Sequence, residues 1–173
     1  RGLALPPEPG RIVLAGVDFG PAVYSTASGD LVHTLPPRAF PMPEGPMATM
    51  IDVTGVLSAS AAEVCVVVWG TWGNRRHELA VWNTKTGDKI ANIPWDWQSH
   101  HGRILGSVSP DGRHIGLTGD EGSKGASTRV VRVIDLHDGE VVRVWSVGDR
   151  INTFAMLPDG QHALTSSESG QGR

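Results

Sequence analysis

Two short segments of the chain concentrate tryptophan, arginine and histidine, the residue types best suited to contact another molecule. The candidate binding residues are Trp72, Arg75, Arg76, Trp95, Trp97, His100 and His101. Tryptophan and arginine dominate the energetics of protein interfaces, because they combine a large contact area with few torsions or a planar set of donors. We therefore predict that these segments bind a protein or peptide. The alternative is that Trp95 or Trp97 seals the edge of a sheet.

Metal and thiol chemistry is less well supported by the sequence. His100 and His101 are adjacent, so their side chains would diverge on a strand, and a metal site usually needs a third, well-spaced ligand. Cys65 lies in the apolar run Val64-Cys65-Val66, which favours a buried and inert thiol. We predict neither a metal site nor a reactive cysteine.

Residues 119–127 are rich in glycine and serine and superficially suggest a phosphate-binding loop. Their spacing does not match that of the P-loop, and no predicted helix follows them to supply a positive N-terminus. No sequence of the nucleophile-elbow type places a serine on a strained turn. We therefore assign no catalytic residue and no cofactor, and expect a protein that is not an enzyme.

Charge and cysteine content exclude several classes of partner and fold. The 173 residues include 15 Lys and Arg against 18 Asp and Glu, a net charge of −3, whereas nucleic-acid binding needs a concentrated basic patch. The single cysteine excludes an internal disulfide framework, and no run approaches the ~18 apolar residues of a membrane span. We expect no nucleic-acid and no membrane partner. The chain starts at Arg1, so a signal could precede it, and the compartment stays open with the cytoplasm slightly favoured.

Short β-branched runs separated by turn residues predict an all-β fold. No window keeps apolar residues at helical spacing through its glycines and prolines, of which the chain has 22 and 12. The clearest predicted strands are residues 11–14, 64–69, 79–82, 129–134 and 141–147. Clusters of Gly, Asp, Asn and Pro separate them, as in an antiparallel meander.

Two kinds of turn recur in order along the chain. One is Pro-Asp-Gly, at residues 110–112 and 158–160, an interval of 48 residues. The other ends in glycine and an acidic residue, at residues 28–30, 86–88 and 138–140, with intervals of 58 and 52 residues. In both kinds, glycine accepts the positive φ that closes a hairpin. A period of about 40 to 50 residues that holds four strands is typical of a β-propeller blade.

Residues 101–139 resemble a WD-repeat blade, from the opening His101-Gly102 to the closing Asp138-Gly139, and residues 147–160 resemble the start of the next. The Trp-Asp pair of that family reads Trp82-Asn83 in one repeat, and the other repeats have Ile134-Asp135 and Tyr24-Ser25. The hydrogen-bonded tetrad of the family is therefore incomplete. The resemblance implies that a histidine at residue 100 or 101 orients the start of a strand. The run at residues 133–142, Val-Ile-Asp-Leu-x-x-Gly-Glu-Val-Val, is also similar to other bacterial seven-bladed propellers.

The repeat divides the chain into approximate blades at residues 1–46, 47–102, 103–150 and 151–173, of which the first and last are partial. We expect the chain to enter in the second strand of a blade near Arg11, and we predict about thirteen strands. Closed propellers have about four to eight blades, so either the chain is part of a longer protein or copies associate. We favour a longer protein. Open sheet edges predict poor solubility or self-association of this chain alone.

The long connections are predicted to emerge on one face of the propeller. In an antiparallel meander, alternate connections leave from the same end of the sheet. The short turns form one class, and the other class contains residues 36–46, 70–78, 94–102 and 119–128. Loops held by a rigid scaffold often carry recognition, so we expect the binding face here.

These features predict a rigid, non-catalytic platform for protein or peptide recognition, which the WD-repeat resemblance also implies. Two alternatives stay open. One is an enzymatic or redox propeller that holds a small ligand or cofactor in a central channel. The other is a regulatory sensor domain fused to a catalytic domain. Further expected partners are the remaining propeller blades, or a second copy that pairs through the open edges.

Overall fold

The computed structural model describes residues 2–4, 10–15, 21–35, 51–58, 63–71, 77–95, 105–121, 128–147, 151–157 and 159–167. Within these ranges the chain forms strands and turns and no helix, so no helix there could cross a membrane. The strands are β1 (Gly2–Ala4), β2 (Arg11–Ala15), β3 (Ala22–Ser25), β4 (Leu31–Thr34), β5 (Ile51–Ser58), β6 (Val64–Thr71), β7 (His77–Asn83), β8 (Lys89–Trp95), β9 (Gly106–Val108), β10 (His114–Glu121), β11 (Thr128–Asp135), β12 (Val141–Ser146), β13 (Ile151–Met156) and β14 (Ala163–Ser167).

The strands form four antiparallel sheets in which neighbours in the chain are neighbours in the sheet. Three sheets have four strands each, β1–β4, β5–β8 and β9–β12, and the fourth pairs β13 with β14. The chain divides into two compact units, Arg1–Asp96 with the first two sheets and Trp97–Arg173 with the other two. The predictions of an all-β fold and of an antiparallel meander are confirmed.

The prediction that the chain enters in the second strand of a sheet near Arg11 is wrong. Gly2–Ala4 pairs with β2, with Leu3 opposite Leu14, so the first sheet has four strands and the described residues contain fourteen. Three residues followed by Leu5-Pro6-Pro7 are too short to show the alternation that marks a strand in sequence.

Several strands are longer than predicted. β6 runs to Thr71, β7 begins at His77 and β8 includes Pro94 and Trp95, all of which were assigned to long connections. In the second unit, β10 extends to Glu121 and β11 begins at Thr128. Backbone pairing does not require apolar side chains, so polar residues and glycine at the strand ends conceal the true boundaries.

The core consists of aliphatic side chains on the inner strands of each sheet. Val13 and Val23 in the first sheet, and Leu79 in the second, are fully buried. Adjacent residues of β11 point to opposite faces, and Val130 and Val131 are 3% and 0% exposed, so both faces of that strand are buried. Burying each such side chain contributes about 1.5–3 kcal/mol. The outer strand β12 is instead mostly exposed.

One set of hydrogen bonds closes the turns that end in glycine and an acidic residue. In the β7–β8 turn, Asn83 Oδ1 accepts the amide of Lys85 at 2.8 Å, and the amide of Gly87 donates to the Asn83 carbonyl at 2.9 Å. Gly87 has φ 78°, and the matching Gly29 and Gly139 have φ 78° and 79°. Side chains with a Cβ are strained there, so the predicted role of glycine is confirmed.

The Pro-Asp-Gly turns repeat a second pattern. Asp111 Oδ1 accepts the backbone amide two residues later at 3.0 Å, and Asp159 Oδ1 does the same at 2.9 Å. Gly112 and Gly160 have φ 70° and 63°, as predicted for the residue that closes the hairpin.

Within each unit, polar side chains connect one sheet to the next. In the first unit, β1 lies alongside β5, and His33 Nε2 on β4 is 2.9 Å from the carbonyl oxygen of Lys85. In the second unit, β9 lies alongside β13, and Ser107 Oγ accepts the amide of Met156 at 3.1 Å. The first strands of successive sheets are therefore in contact inside a unit, and in the first unit β4 also contacts the β7–β8 turn.

Candidate functional site

The β5–β8 sheet has one end at which β6 stops, β7 starts and β8 stops. Thr71 is the last residue of β6, His77 the first of β7 and Trp95 the last of β8. The register pairs Gly70 with His77, and His77 with Trp95. The connection between β6 and β7 and the segment after β8 therefore leave the sheet from the same end. We call this end, defined by Thr71, His77 and Trp95, the Trp95 end.

Of the predicted binding residues, Trp95 lies in a strand, and the others lie outside the described residues. Those others are Trp72, Arg75, Arg76, Trp97, His100 and His101. In the sequence, Trp72 directly follows Thr71 and Arg76 directly precedes His77. All seven positions thus belong to the Trp95 end or to the two segments that connect to it, and their role in binding stays a prediction.

Glu78 is a buried charged residue one position from the Trp95 end. It is the second residue of β7 and is 7% exposed. Its Oε1 atom is buried and has no hydrogen-bond partner. Leaving a buried acceptor without a donor costs about 1–3 kcal/mol, and more if the group is charged. A native structure that retains such an atom gives reason to look for a function.

Asn92 places a second unpaired acceptor on the same face of the sheet. Asn92 pairs with Ala80 across β7 and β8. Ala80 lies two residues after Glu78 in β7, so Glu78, Ala80 and Asn92 face the same side of the sheet. Asn92 Oδ1 is also buried without a hydrogen-bond partner. Diagonal neighbours on adjacent strands have Cα atoms about 7–8 Å apart, within reach of long side chains. Two acceptors that lack donors thus occupy diagonal positions on one face of neighbouring strands.

The same face continues with Trp82, which is 4% exposed. Its Nε1 has no acceptor, and the ammonium of Lys89 lies 5.4 Å from the centre of its ring. Cys65 is opposite Trp82 in the register and is fully buried. The predicted burial of Cys65 is confirmed, and this burial raises the pKa of the thiol to about 12.

The other candidate chemistry falls partly outside the described residues. The glycine-rich segment at residues 119–127 begins as strand, because Gly119 to Glu121 belong to β10, and residues 122–127 are not described. In the part of the chain that the structure describes, no three His, Cys, Asp or Glu side chains are placed to hold a metal ion.

Sequence reasoning missed Glu78 because it assigned residues 70–78 to a long connection. A signal was present in the repeat. Asn83 and Asp135 hold the same position in equivalent turns, and counting back five residues from each aligns Glu78 with Val130. Val130 is 3% exposed. A carboxylate at a position that is valine in the related strand breaks the local rule, which is typical of functional sites.

No protein-family model and no curated protein sequence matches this chain. The geometry of the Trp95 end is therefore the basis for assigning a function. The described side chains next to it, Glu78 and Asn92, carry buried hydrogen-bond acceptors on paired strands, which suits binding of a group that donates hydrogen bonds.

Proposed function

We propose that this chain is a segment of a β-propeller, similar to WD-repeat proteins, whose Trp95 end binds a protein or peptide without catalysing a reaction. The repeated four-stranded meander supports the propeller assignment. So do the contacts between the first strands of successive sheets, β1 with β5 and β9 with β13. Blades arranged around a centre bring their innermost strands together in this way.

The observation that carries the binding proposal is the place of Trp95 at the end of β8, opposite the first residue of β7. Because of this position, the segment after β6, which contains Trp72, and the segment after β8, which contains Trp97, both connect to the same end of one sheet. Residues 72–76 add two arginines, and residues 97–101 add a tryptophan and two histidines. An interface with a few aromatic and arginine anchors is the usual way that affinity concentrates in a small area.

The scaffold below the Trp95 end is rigid. Leu79 and Val81 in β7 are 0% and 1% exposed, and Ile93 in β8 is 6% exposed. Binding groups on strands with such burial are held more precisely than groups on unsupported loops. The arrangement therefore suits recognition of a short segment with defined side-chain positions. The net charge of −3 favours a protein or peptide over a nucleic acid as the partner.

A random peptide library displayed on phage, selected on the immobilised chain, tests this function. We expect enriched peptides whose affinity, measured by calorimetry, falls about tenfold or more in Trp95→Ala and in Trp97→Ala. The melting temperature of both variants should stay close to that of the parent chain. Trp145→Ala, in the outer strand β12, is the matched control and should leave the affinity unchanged.

Two results would contradict the proposal. One is a selection without enriched peptides. The other is a large loss of stability in Trp95→Ala and Trp97→Ala with the peptide affinity retained, which would make these tryptophans packing residues.

A further inference from the structure

We propose that Glu78 and Asn92 form a subsite that receives the cationic side chain of an arginine or lysine from the bound peptide. This inference rests on the proposed function and names the chemistry of the partner. Both side chains offer a buried oxygen that lacks a donor, on one face of neighbouring strands. A guanidinium or ammonium group supplies several donors and a positive charge, the two things that this pair of acceptors lacks.

Burial makes the subsite selective for a cation. At 7% exposure, Glu78 has little water around it, so a charge on its carboxylate is stabilised mainly by a partner that enters the fold. Hydrogen bonds to charged groups are about twice as strong as neutral ones. Asn92 adds a neutral acceptor, which lets one guanidinium reach two oxygens. A neutral residue of the same shape could donate hydrogen bonds but would leave the negative charge of the carboxylate unbalanced.

Glu78 lies close to the Trp95 end of the sheet. Glu78 is one residue from the start of β7, and its register partners are Trp69 on β6 and Pro94 on β8. A side chain that arrives at the Trp95 end therefore meets Glu78 before it meets Ala80 or Trp82 further along the strand. The peptide backbone would stay at the strand ends, where the predicted tryptophans and arginines connect.

The related sheet shows that the fold does not need this carboxylate. Val130 occupies the equivalent position in β11 and is 3% exposed, so an aliphatic side chain satisfies the packing there. Glu78 is thus a polar substitution within a repeated apolar frame. In the second sheet the hydroxyl of Ser109 and the carboxylate of Asp135 have hydrogen-bond partners, unlike Glu78 Oε1, and the described buried atom there that lacks a partner is a ring nitrogen, His114 Nδ1.

An NMR titration of the full ¹⁵N-labelled chain tests the subsite with three small probes: N-acetyl-arginine amide, N-acetyl-lysine amide and the neutral isostere N-acetyl-citrulline amide. We expect the first two to shift the amide resonances of Glu78 and its neighbours, and the citrulline derivative to leave them in place. Glu78→Gln should weaken probe binding about tenfold or more, since it removes the charge and keeps the shape. Asn92→Ala should weaken it about threefold to tenfold.

Asp88→Asn, an exposed carboxylate in the β7–β8 turn, is the control and should bind the probes like the parent chain. Equal binding of citrulline, or unchanged binding in Glu78→Gln, would overturn the subsite. The subsite would also be overturned if the parent chain bound no probe and Glu78→Gln had a lower melting temperature than the parent. Glu78 would then pair with a cation of this chain. Enriched library peptides that depend on Trp95 but contain no basic residue would also overturn the subsite while leaving the proposed function intact.

Discussion

The β5–β8 and β9–β12 sheets share a frame but differ in how they treat buried polar groups. Both are four-stranded meanders, and an oxygen of Asn83 or Asp135 closes the turn between the third and fourth strands at 2.8 Å. In the first sheet, Glu78 Oε1, Asn92 Oδ1 and Trp82 Nε1 are buried without partners. In the second, the buried oxygens of Ser109, Thr118 and Asp135 have partners, and His114 Nδ1 is buried without one.

The comparison teaches that two sheets can share a fold while one of them leaves more buried polar atoms unpaired. The turn bonds and the aliphatic core are common to both sheets, so they specify the architecture. Three of the four buried side-chain atoms without partners in the described residues lie on one face of the β5–β8 sheet, and Glu78 among them is one residue from the end at which the predicted binding residues connect. Functional sites in stable folds commonly cost stability locally in this way.

The largest expected effect concerns Val66 and Gly116, which hold equivalent positions in β6 and β10. Val66 lies two residues after Val64, the partner of Asn83, and Gly116 lies two residues after His114, the partner of Asp135. A Cβ at Gly116 would overlap the ring of Phe154 at Cζ. We therefore expect Gly116→Val to lower the free energy of unfolding by about 1–3 kcal/mol through overpacking, measured by urea unfolding.

Phe154→Ala provides the control for Gly116→Val, because it removes the ring that the new valine meets. The double variant should lose less stability than the sum of the single variants. A Gly116→Val chain as stable as the parent would show that β10 accepts valine at this position as β6 does. That result would contradict the claim that Phe154 leaves no room for a side chain at residue 116.

A smaller effect is expected at Asp135, where the related turn has the neutral Asn83. The amide of His137 holds the pKa of Asp135 below its usual value, and Arg113, at 3.3 Å, acts in the same direction against the effect of burial. Asparagine keeps the acceptor and loses the charge. Because Arg113 is 69% exposed, we expect Asp135→Asn to lower the free energy of unfolding at neutral pH by about 0.5–1 kcal/mol.

Acid should remove that difference between the parent chain and Asp135→Asn. A carboxylate with a lowered pKa contributes its full stability above the pKa of the unfolded chain, near pH 4, and loses it as the pH falls further. Urea unfolding from about pH 7 down to about pH 2 checks the convergence. Asp138→Asn, at an exposed position of the same turn, should change stability little at either pH. A penalty for Asp135→Asn that persists in acid would contradict the role of the charge.

Local sequence patterns predict much of the fold because turns are local. The positive φ of Gly87 and Gly112 follows from turn chemistry within a few residues. The close approach of Phe154 to Gly116 joins residues far apart in the chain, and nothing in either local sequence predicts it. β1 was missed for a different reason, since three residues carry no readable alternation.

The candidate site was predicted in part. Spacing and residue type drew attention to Trp95 and to the segments on either side of β7. Glu78 was missed because a charged residue beside a glycine- and arginine-rich segment resembles a loop residue. Its burial depends on the pairing of β7 with β6 and β8, which only the structure supplies. The comparison with Val130 shows that an alignment of the repeats carries this information.

The free energy of unfolding of Glu78→Val, measured by urea unfolding beside the parent chain, tests the central claim most directly. Valine is the residue of the equivalent position in β11, so it fits the frame and removes a buried acceptor that lacks a donor. We predict that the variant is more stable than the parent by about 1–3 kcal/mol. A variant less stable than the parent would contradict the claim that Glu78 is kept for binding at the cost of stability.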